Sequence, residues 1–404
     1  MLDARRGRHP LVARDRRGLR RPPAPRRVAV GFLRHVPGAR RTDPPQPAPV
    51  RKGVGVLGLH EGRTLLVGLD RCRYAYAVAG CDLDPDKIEA SRKERPDLFY
   101  TADYGELLAR PEVEIVAIYT PDHLHGRHVV AAFEAGKDVL CTKPLVNSME
   151  DARRVLEAGK RTGKRLLVGQ STRFFEPFLR QRAACERGEI GAIELLDAHY
   201  IHRMDWFYRK SPWAVTETDW VFLGLSHPVD LARWYLGPIA EVHAYSYRSQ
   251  LGQSVGLKGN DVYIVNLKAA DGRIGRVMGH YGLEELPSAR NCIELVLYGS
   301  KGTSQAQYHD MRYRHTAPDG SEVTEDPLYA LRHYYFNSEV HGMHYGEFAN
   351  YADAFARALL ERRDLAPGLE EGLETFCVME AVRRSAAAGH PTQLQPLLQE
   401  AGLA

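Results

Sequence analysis

Between Val54 and Gly169 short apolar runs of strand length alternate with helical stretches, and this alternation constrains the fold more than any other feature of the chain. Residues 54–58, 76–81, 113–119, 138–141 and 165–169 read as buried strands, the first entering a glycine turn. Helical patterning over 63–69, 104–108 and 126–135 lies between them, and Gly136 and Thr120-Pro121 act as stops. Strands that alternate with helices must run parallel, because each crossover returns the chain to the same edge of the sheet. The expectation is a doubly wound α/β domain.

The pattern changes after Gly169. Longer β-rich runs follow at 194–201, 240–248, 261–268, 273–281 and 292–298, joined by turns such as Ala270-Asp271-Gly272, and helical patterning returns at 346–361 and 370–388. A chain of 404 residues exceeds the usual size of one hydrophobic core, so two domains are expected. The fold class is α/β, with an N-terminal Rossmann dinucleotide-binding domain at 53–170. A C-terminal α+β domain with a large, mostly antiparallel, open-faced sheet occupies 171–391. Residues 392–404 form a tail, and the C-terminal helices are candidates to pack back on the first domain. The open sheet face is the expected place for pairing into a homodimer or homotetramer.

The charge is uneven. Residues 1–52 carry fifteen basic against three acidic side chains, a net +12, whereas the remainder carries 40 basic and 48 acidic, a net −8. That leader is rich in Arg and Pro and has too little apolar periodicity to bury itself, so a disordered extension or an over-called start site is expected. A twin-arginine export signal would need a longer apolar stretch than residues 28–33, and a transit segment would be Ser-rich, yet residues 1–50 contain no Ser. A nucleic-acid arm stays open for the leader. The acidic body disfavours phosphate backbones, and no nucleic-acid partner is expected for it. No window reaches the length of uninterrupted apolar sequence a membrane span needs. The six cysteines have no paired spacing that suggests zinc or a redox dithiol, so no metal is expected and a reduced, cytoplasmic setting fits.

A dinucleotide fold places glycines where backbone approaches the pyrophosphate and an acidic residue about twenty positions on at the ribose. Gly58-Leu59-His60-Glu61-Gly62-Arg63 matches incompletely, with His60 and Arg63 at the second and third glycine positions. Glu61 would sit poorly beside a pyrophosphate unless it points away. Gly58, Gly62 and Arg63 are the candidates for the phosphates, although an exposed helix arginine is an equal alternative for Arg63. Asp82, ending the second strand, would accept from ribose hydroxyls and repel a 2′-phosphate, favouring NAD over NADP. The bland alternative is that Asp82 and Asp84 cap the next helix.

Two further segments carry chemistry. Lys143 stands in Cys141-Thr142-Lys143-Pro144-Leu145 at the end of a strand, where open parallel sheets bind ligands. His227 stands in Leu223-Gly224-Leu225-Ser226-His227-Pro228-Val229-Asp230. Together these segments resemble the glucose-fructose oxidoreductase and inositol dehydrogenase (Gfo/Idh/MocA) family, over about residues 54–391. The resemblance implies that the Lys-Pro pair supplies a catalytic lysine beside the cofactor, with Pro144 at its edge, and that His227 is the acid/base histidine. Tyr119-Thr120-Pro121-Asp122-His123-Leu124-His125 resembles the family's turn along the cofactor, which makes Thr120 and His125 cofactor candidates. The chain departs from the family twice: Thr142 replaces a Glu before the lysine, and Leu223 and Leu225 take the Asp and Gly positions of an Asp-x-Gly-x-His motif.

Oxidising a secondary alcohol needs a group that binds the oxygen and a group that takes its proton, and a Lys and His pair suits both tasks. A surface lysine and a helix-capping histidine remain the plain alternative. The missing carboxylate directs attention to other substrate contacts. Candidates are Arg173, which matches a family position near the site, His202, Arg203 and Trp206 after a β-rich run, and Asp219. Asp230 is a further candidate, more suited to orienting the His227 helix. The expected activity is NAD(H)-dependent hydride transfer to or from a polyhydroxylated small molecule, a sugar, cyclitol or related compound. Two other readings stay open: a glycoside-cleaving enzyme that oxidises transiently with held NAD, and a sensor without turnover.

Overall fold

The computed structural model describes residues 50–284, 292–327 and 346–404. Residues 1–49 of the expected extension lie outside the described residues. The first sheet has six strands, β1 (Lys52–Leu57), β2 (Ala75–Cys81), β3 (Phe99–Thr101), β4 (Ile115–Ile118), β5 (Asp138–Thr142) and β6 (Leu166–Gly169). They lie in the order β3-β2-β1-β4-β5-β6 and pair in parallel throughout. The strand order reverses between β1 and β4, and ligands in such sheets bind in the crevice beyond the strand C-termini at that point. Gly58, Asp82, Thr120 and Lys143 all follow or end strands on this side.

The second sheet has nine strands: β7 (Ile193–Ile201), β8 (Ile239–Tyr247), β9 (Val262–Ala269), β10 (Ile274–His280), β11 (Ile293–Gly299), β12 (Gly302–Tyr308), β13 (Arg312–Thr316), β14 (Glu322–Glu325) and β15 (Thr392–Gln393). Its order is β14-β13-β12-β11-β7-β10-β9-β8-β15, antiparallel except for the parallel pair β7 and β10. Burial alternates along β9, as expected for a sheet with one covered face. The helices Glu176–Glu186, Ser226–Leu236 and Leu369–Ala388 cover that face.

The domains share one framework. The helix Glu347–Leu360 sends Phe348, Tyr351 and Phe355 into the core beneath β1 and β4, where the Tyr351 hydroxyl meets that of Tyr119. Phe376 of the helix Leu369–Ala388 stacks on Phe222 in the segment leading to His227. Residues 392–404, expected as a tail, form β15 on the edge of β8 and the short helix Gln395–Glu400, with Leu394, Leu397 and Ala401 buried. Among the described residues no helix is long and apolar enough to cross a membrane.

Candidate functional site

A cleft of about 710 Å³ opens beyond the C-termini of β1, β2, β4 and β5. Gly58, His60, Glu61, Asp82, Thr120, His125 and Lys143 line it from the first domain, and Tyr200, His202, Trp206, Trp220, Leu223 and His227 from the second. The two sets of residues that the sequence placed on different domains therefore face one space.

The glycine turn after β1 is formed by a positive backbone angle at Gly58, φ 91°, and a Cβ there would lie 2.7 Å from the Tyr119 carbonyl group. Asp82 holds this turn from the next strand. Its Oδ2 accepts from the Leu59 amide at 2.7 Å and its Oδ1 from the Asp84 amide at 3.0 Å. Each carboxylate oxygen keeps a further lone pair for a ribose hydroxyl. Asp84, not Asp82, caps the following helix, accepting from the Asp86 amide. The glycine turn and the acidic residue beside it fit a dinucleotide. Glu61, which also lines the cleft, pairs with Lys210 of the second domain.

Lys143 ends its strand with a half-buried ammonium that donates to the Leu223 carbonyl oxygen at 3.0 Å. Burial lowers its pKa to about 8, and the nearby Asp122 and Glu61 carboxylates partly offset that loss. Asp122 is itself deeply buried and pushed up to about 6, while hydrogen bonds from Thr218 and Asn147 hold it. His227 is the second residue of the helix Ser226–Leu236, buried, with its ring 5.7 Å from Tyr200. The five residues from Leu223 to His227 thus carry both the acceptor for the lysine and the histidine.

Several expected contacts are committed elsewhere. Arg63 pairs with Glu94 on the neighbouring helix and does not line the cleft. The ring nitrogens of His125 face the Pro144 and Thr120 carbonyl oxygens at 2.7 and 2.8 Å, and burial lowers its pKa to about 4. His125 and Pro144 therefore brace the lysine turn against the Thr120 turn, and Thr120 itself bonds to His128. Gly62 packs against Val56 inside the domain.

Among the substrate candidates, Arg173 and Asp230 form a buried two-pronged ion pair at 2.7 and 2.8 Å, outside the cleft lining. Arg203 pairs with Asp205 and Glu284. Asp219 caps the short helix Trp220–Leu223 and accepts from the Tyr263 hydroxyl at 2.8 Å. None of these four side chains lines the cleft, whereas the other two candidates, His202 and Trp206, do. Sequence reasoning missed the roles of Asp122 and Lys210, because their partners Thr218 and Glu61 are remote in sequence and no local pattern links them. Among the described residues no cluster of His, Cys, Asp and Glu is arranged to hold a metal ion.

Comparison with known proteins gives this geometry a context. Residues 53–170 match the Gfo/Idh/MocA oxidoreductase family's NAD-binding Rossmann fold, and residues 182–394 match its C-terminal alpha/beta domain. A 1-carboxy-3-chloro-3,4-dihydroxycyclohexa-1,5-diene dehydrogenase from Comamonas testosteroni is 31% identical over 200 residues, 48% of this chain and 49% of that protein. An inositol 2-dehydrogenase from Gluconacetobacter diazotrophicus is 30% identical over 193 residues, 46% of this chain and 54% of that protein. The chain spans about half the length of these curated relatives. A levoglucosan dehydrogenase, solved in complex with NADH and levoglucosan, shares the fold with a TM-score of 0.73 at 19% identity, covering 85% of this chain and 100% of that one.

Proposed function

The chain belongs to the Gfo/Idh/MocA oxidoreductase family, with that family's NAD-binding Rossmann fold over residues 53–170, and on this footing we propose that it is an NAD-dependent dehydrogenase acting on a secondary alcohol of a sugar, cyclitol or related ring compound. The observation that carries the proposal is the Lys143 bond to Leu223, which brings the lysine at the end of β5 beside the helix that bears His227. NAD, when bound by Gly58, Asp82 and Thr120, supplies the acceptor for the hydride. Lys143 holds the reacting oxygen and, in its neutral form, takes the hydroxyl proton. His227 exchanges that proton with solvent. Walls of Trp206, Phe207, Trp213 and Trp220 exclude water and pack against ring faces.

The relatives' names support this reading over the glycoside-cleaving alternative, since each is a dehydrogenase of a cyclic alcohol. The test is NADH formation in the presence of NAD and a panel of cyclic alcohols. Lys143→Met and His227→Ala should each lower turnover by roughly a hundredfold to ten-thousandfold while NAD affinity changes little. Near-normal rates in both variants would remove the mechanism.

A homo-oligomer formed through the open face of the second sheet completes the proposal. Two cross-strand rows on that face expose apolar groups, Tyr245 beside Ile264 and Tyr298 beside Leu195 and Ile274. Burying such a patch in a second copy removes it from water. Ile264→Lys with Ile274→Glu should shift the protein to a smaller species in size-exclusion chromatography with light scattering. The six cysteines are free thiols, five of them buried, which supports a reducing compartment such as the cytoplasm.

A further inference from the structure

The turn that follows β1 has a charge imbalance that its own residues do not correct. The diphosphate of a dinucleotide is anionic, and Gly58-Leu59-His60-Glu61-Gly62-Arg63 sets a carboxylate in the turn where a Rossmann fold holds it. Arg63, the arginine of this segment, is drawn off by Glu94 and lies outside the cleft lining. The counter-charge has to come from another element.

Among the described residues, Lys87, Arg127, Lys143 and Lys210 are the Lys and Arg side chains that line the cleft. Lys143 donates to the Leu223 carbonyl oxygen, Lys87 pairs with Asp84 beyond β2, and Arg127 stands beside His128 on the helix His125–Glu134. Lys210 differs from them, because it comes from the second domain and its ammonium pairs with Glu61 in the glycine turn. It ends the short helix Asp205–Lys210. That helix is fastened to its own domain: the Met204 amide donates to the Tyr281 carbonyl oxygen at 3.0 Å, and Phe207 packs edge-on against Trp213 and Trp220. The lysine Nζ also lies 5.8 Å from the centre of the Trp206 ring, a second contact that holds the side chain against the cleft wall. The Lys210 and Glu61 side chains keep 26% and 30% of their surface exposed, so a ligand in the cleft can reach them. An ammonium has several N–H donors and can serve a carboxylate and a phosphate oxygen together.

We propose that Lys210 is a cofactor-binding residue supplied by the second domain: its ammonium offsets the Glu61 charge and donates to the diphosphate of the bound dinucleotide. The proposal rests on nucleotide binding at this turn and is independent of which alcohol is oxidised. The helix that carries Lys210 also carries Trp206 of the substrate wall, so one element grips the cofactor and borders the substrate.

Calorimetry on the full-length protein tests the assignment with ADP-ribose, which carries the diphosphate, and adenosine, which lacks it. Lys210→Met should weaken ADP-ribose binding roughly tenfold or more, the range expected for a hydrogen bond between charged groups, and leave adenosine affinity as it is. Glu61→Gln should tighten ADP-ribose binding, and adding Lys210→Met to that variant should again cost roughly tenfold. An unchanged ADP-ribose affinity in Lys210→Met would overturn the proposal. So would an equal loss for adenosine, which would mark the lysine as a strut between the domains. A double variant that binds ADP-ribose as well as Glu61→Gln does would also overturn it, because Lys210 would then act only by neutralising Glu61. These three outcomes leave the nucleotide at the turn. If the unaltered protein bound neither probe, the placement of the nucleotide would fall as well.

Discussion

The Lys143 ammonium donates a 3.0 Å hydrogen bond to the main-chain carbonyl oxygen of Leu223. Leu223 stands where the resemblance to the family leads one to expect an acidic side chain. The backbone of that residue supplies an acceptor that its side chain cannot, and the lysine keeps a partner across the domain boundary. Ser226 also approaches this carbonyl, at 3.4 Å, so the oxygen is shared rather than dedicated. A neutral acceptor stabilises the charged amine less than a carboxylate would, which agrees with the lowered pKa of about 8.

That value sets the pH dependence expected of the proposed reaction. In the oxidative direction the neutral amine is the competent form, so kcat/KM should rise as pH increases through about 8. The Asp122 carboxylate favours the protonated lysine, and removing its charge in Asp122→Asn should move the rise to lower pH. Initial rates across a pH series in both proteins check this. An unmoved midpoint would detach Asp122 from the lysine.

The same shift has a consequence for stability. The folded-state pKa of about 8 lies below the ordinary 10.5, so between these values the unfolded chain binds more protons and stability rises with pH. Below about pH 8 the cost of burying the ammonium is present in full. Lys143→Met should therefore stabilise the protein at pH 7, by about 1–3 kcal/mol after allowance for the lost bond to Leu223. The gain should shrink as pH rises towards 10.5. Urea denaturation at pH 7 and pH 10 measures both, and a destabilised variant at pH 7 would contradict the argument.

Arg173 and Asp230 tie the segment leaving β6 to the helix that carries His227, and both side chains are almost wholly buried. Breaking such a pair leaves one charge without its counter-ion. Asp230→Ala should cost about 3–5 kcal/mol, while replacing both partners by apolar residues of similar volume should cost much less. Denaturation midpoints of Asp230→Ala and of the double variant Arg173→Met, Asp230→Leu decide the matter. Equal losses in the two would show that packing, rather than the uncompensated charge, sets the cost.

Strand periodicity and strand-ending residues made the first domain legible in the sequence. Lys143 and His227 could be singled out because each stands in a segment with its own local pattern. The partners of the polar side chains were not legible: Arg63 reads as a phosphate ligand until Glu94, on another helix, is seen to take it. The partners of Arg203 and Asp219 are hidden from the sequence for the same reason, since Glu284 and Tyr263 come from distant strands and loops. The strands β12 to β14 escaped notice because Gly302–Tyr308 and Arg312–Thr316 carry many polar residues, and their pairing depends on neighbours rather than on apolar alternation.

Asp82 is the residue on which nucleotide choice should turn. It lines the cleft at the end of β2 and accepts two backbone hydrogen bonds, which fix its position beside the glycine turn. A ribose hydroxyl can donate to the remaining lone pairs, whereas a 2′-phosphate would bring negative charge against a carboxylate that cannot withdraw. The unaltered protein should thus bind NAD more tightly than NADP, by roughly tenfold or more if the repulsion is of the order of 1.4 kcal/mol. Asp82→Ser keeps an acceptor for the Leu59 amide and removes the charge. In that variant the preference should narrow mainly through tighter NADP binding, read by calorimetry with each nucleotide. If NAD affinity collapsed while NADP affinity stayed constant, Asp82 would be acting through the shape of the glycine turn and not through its charge.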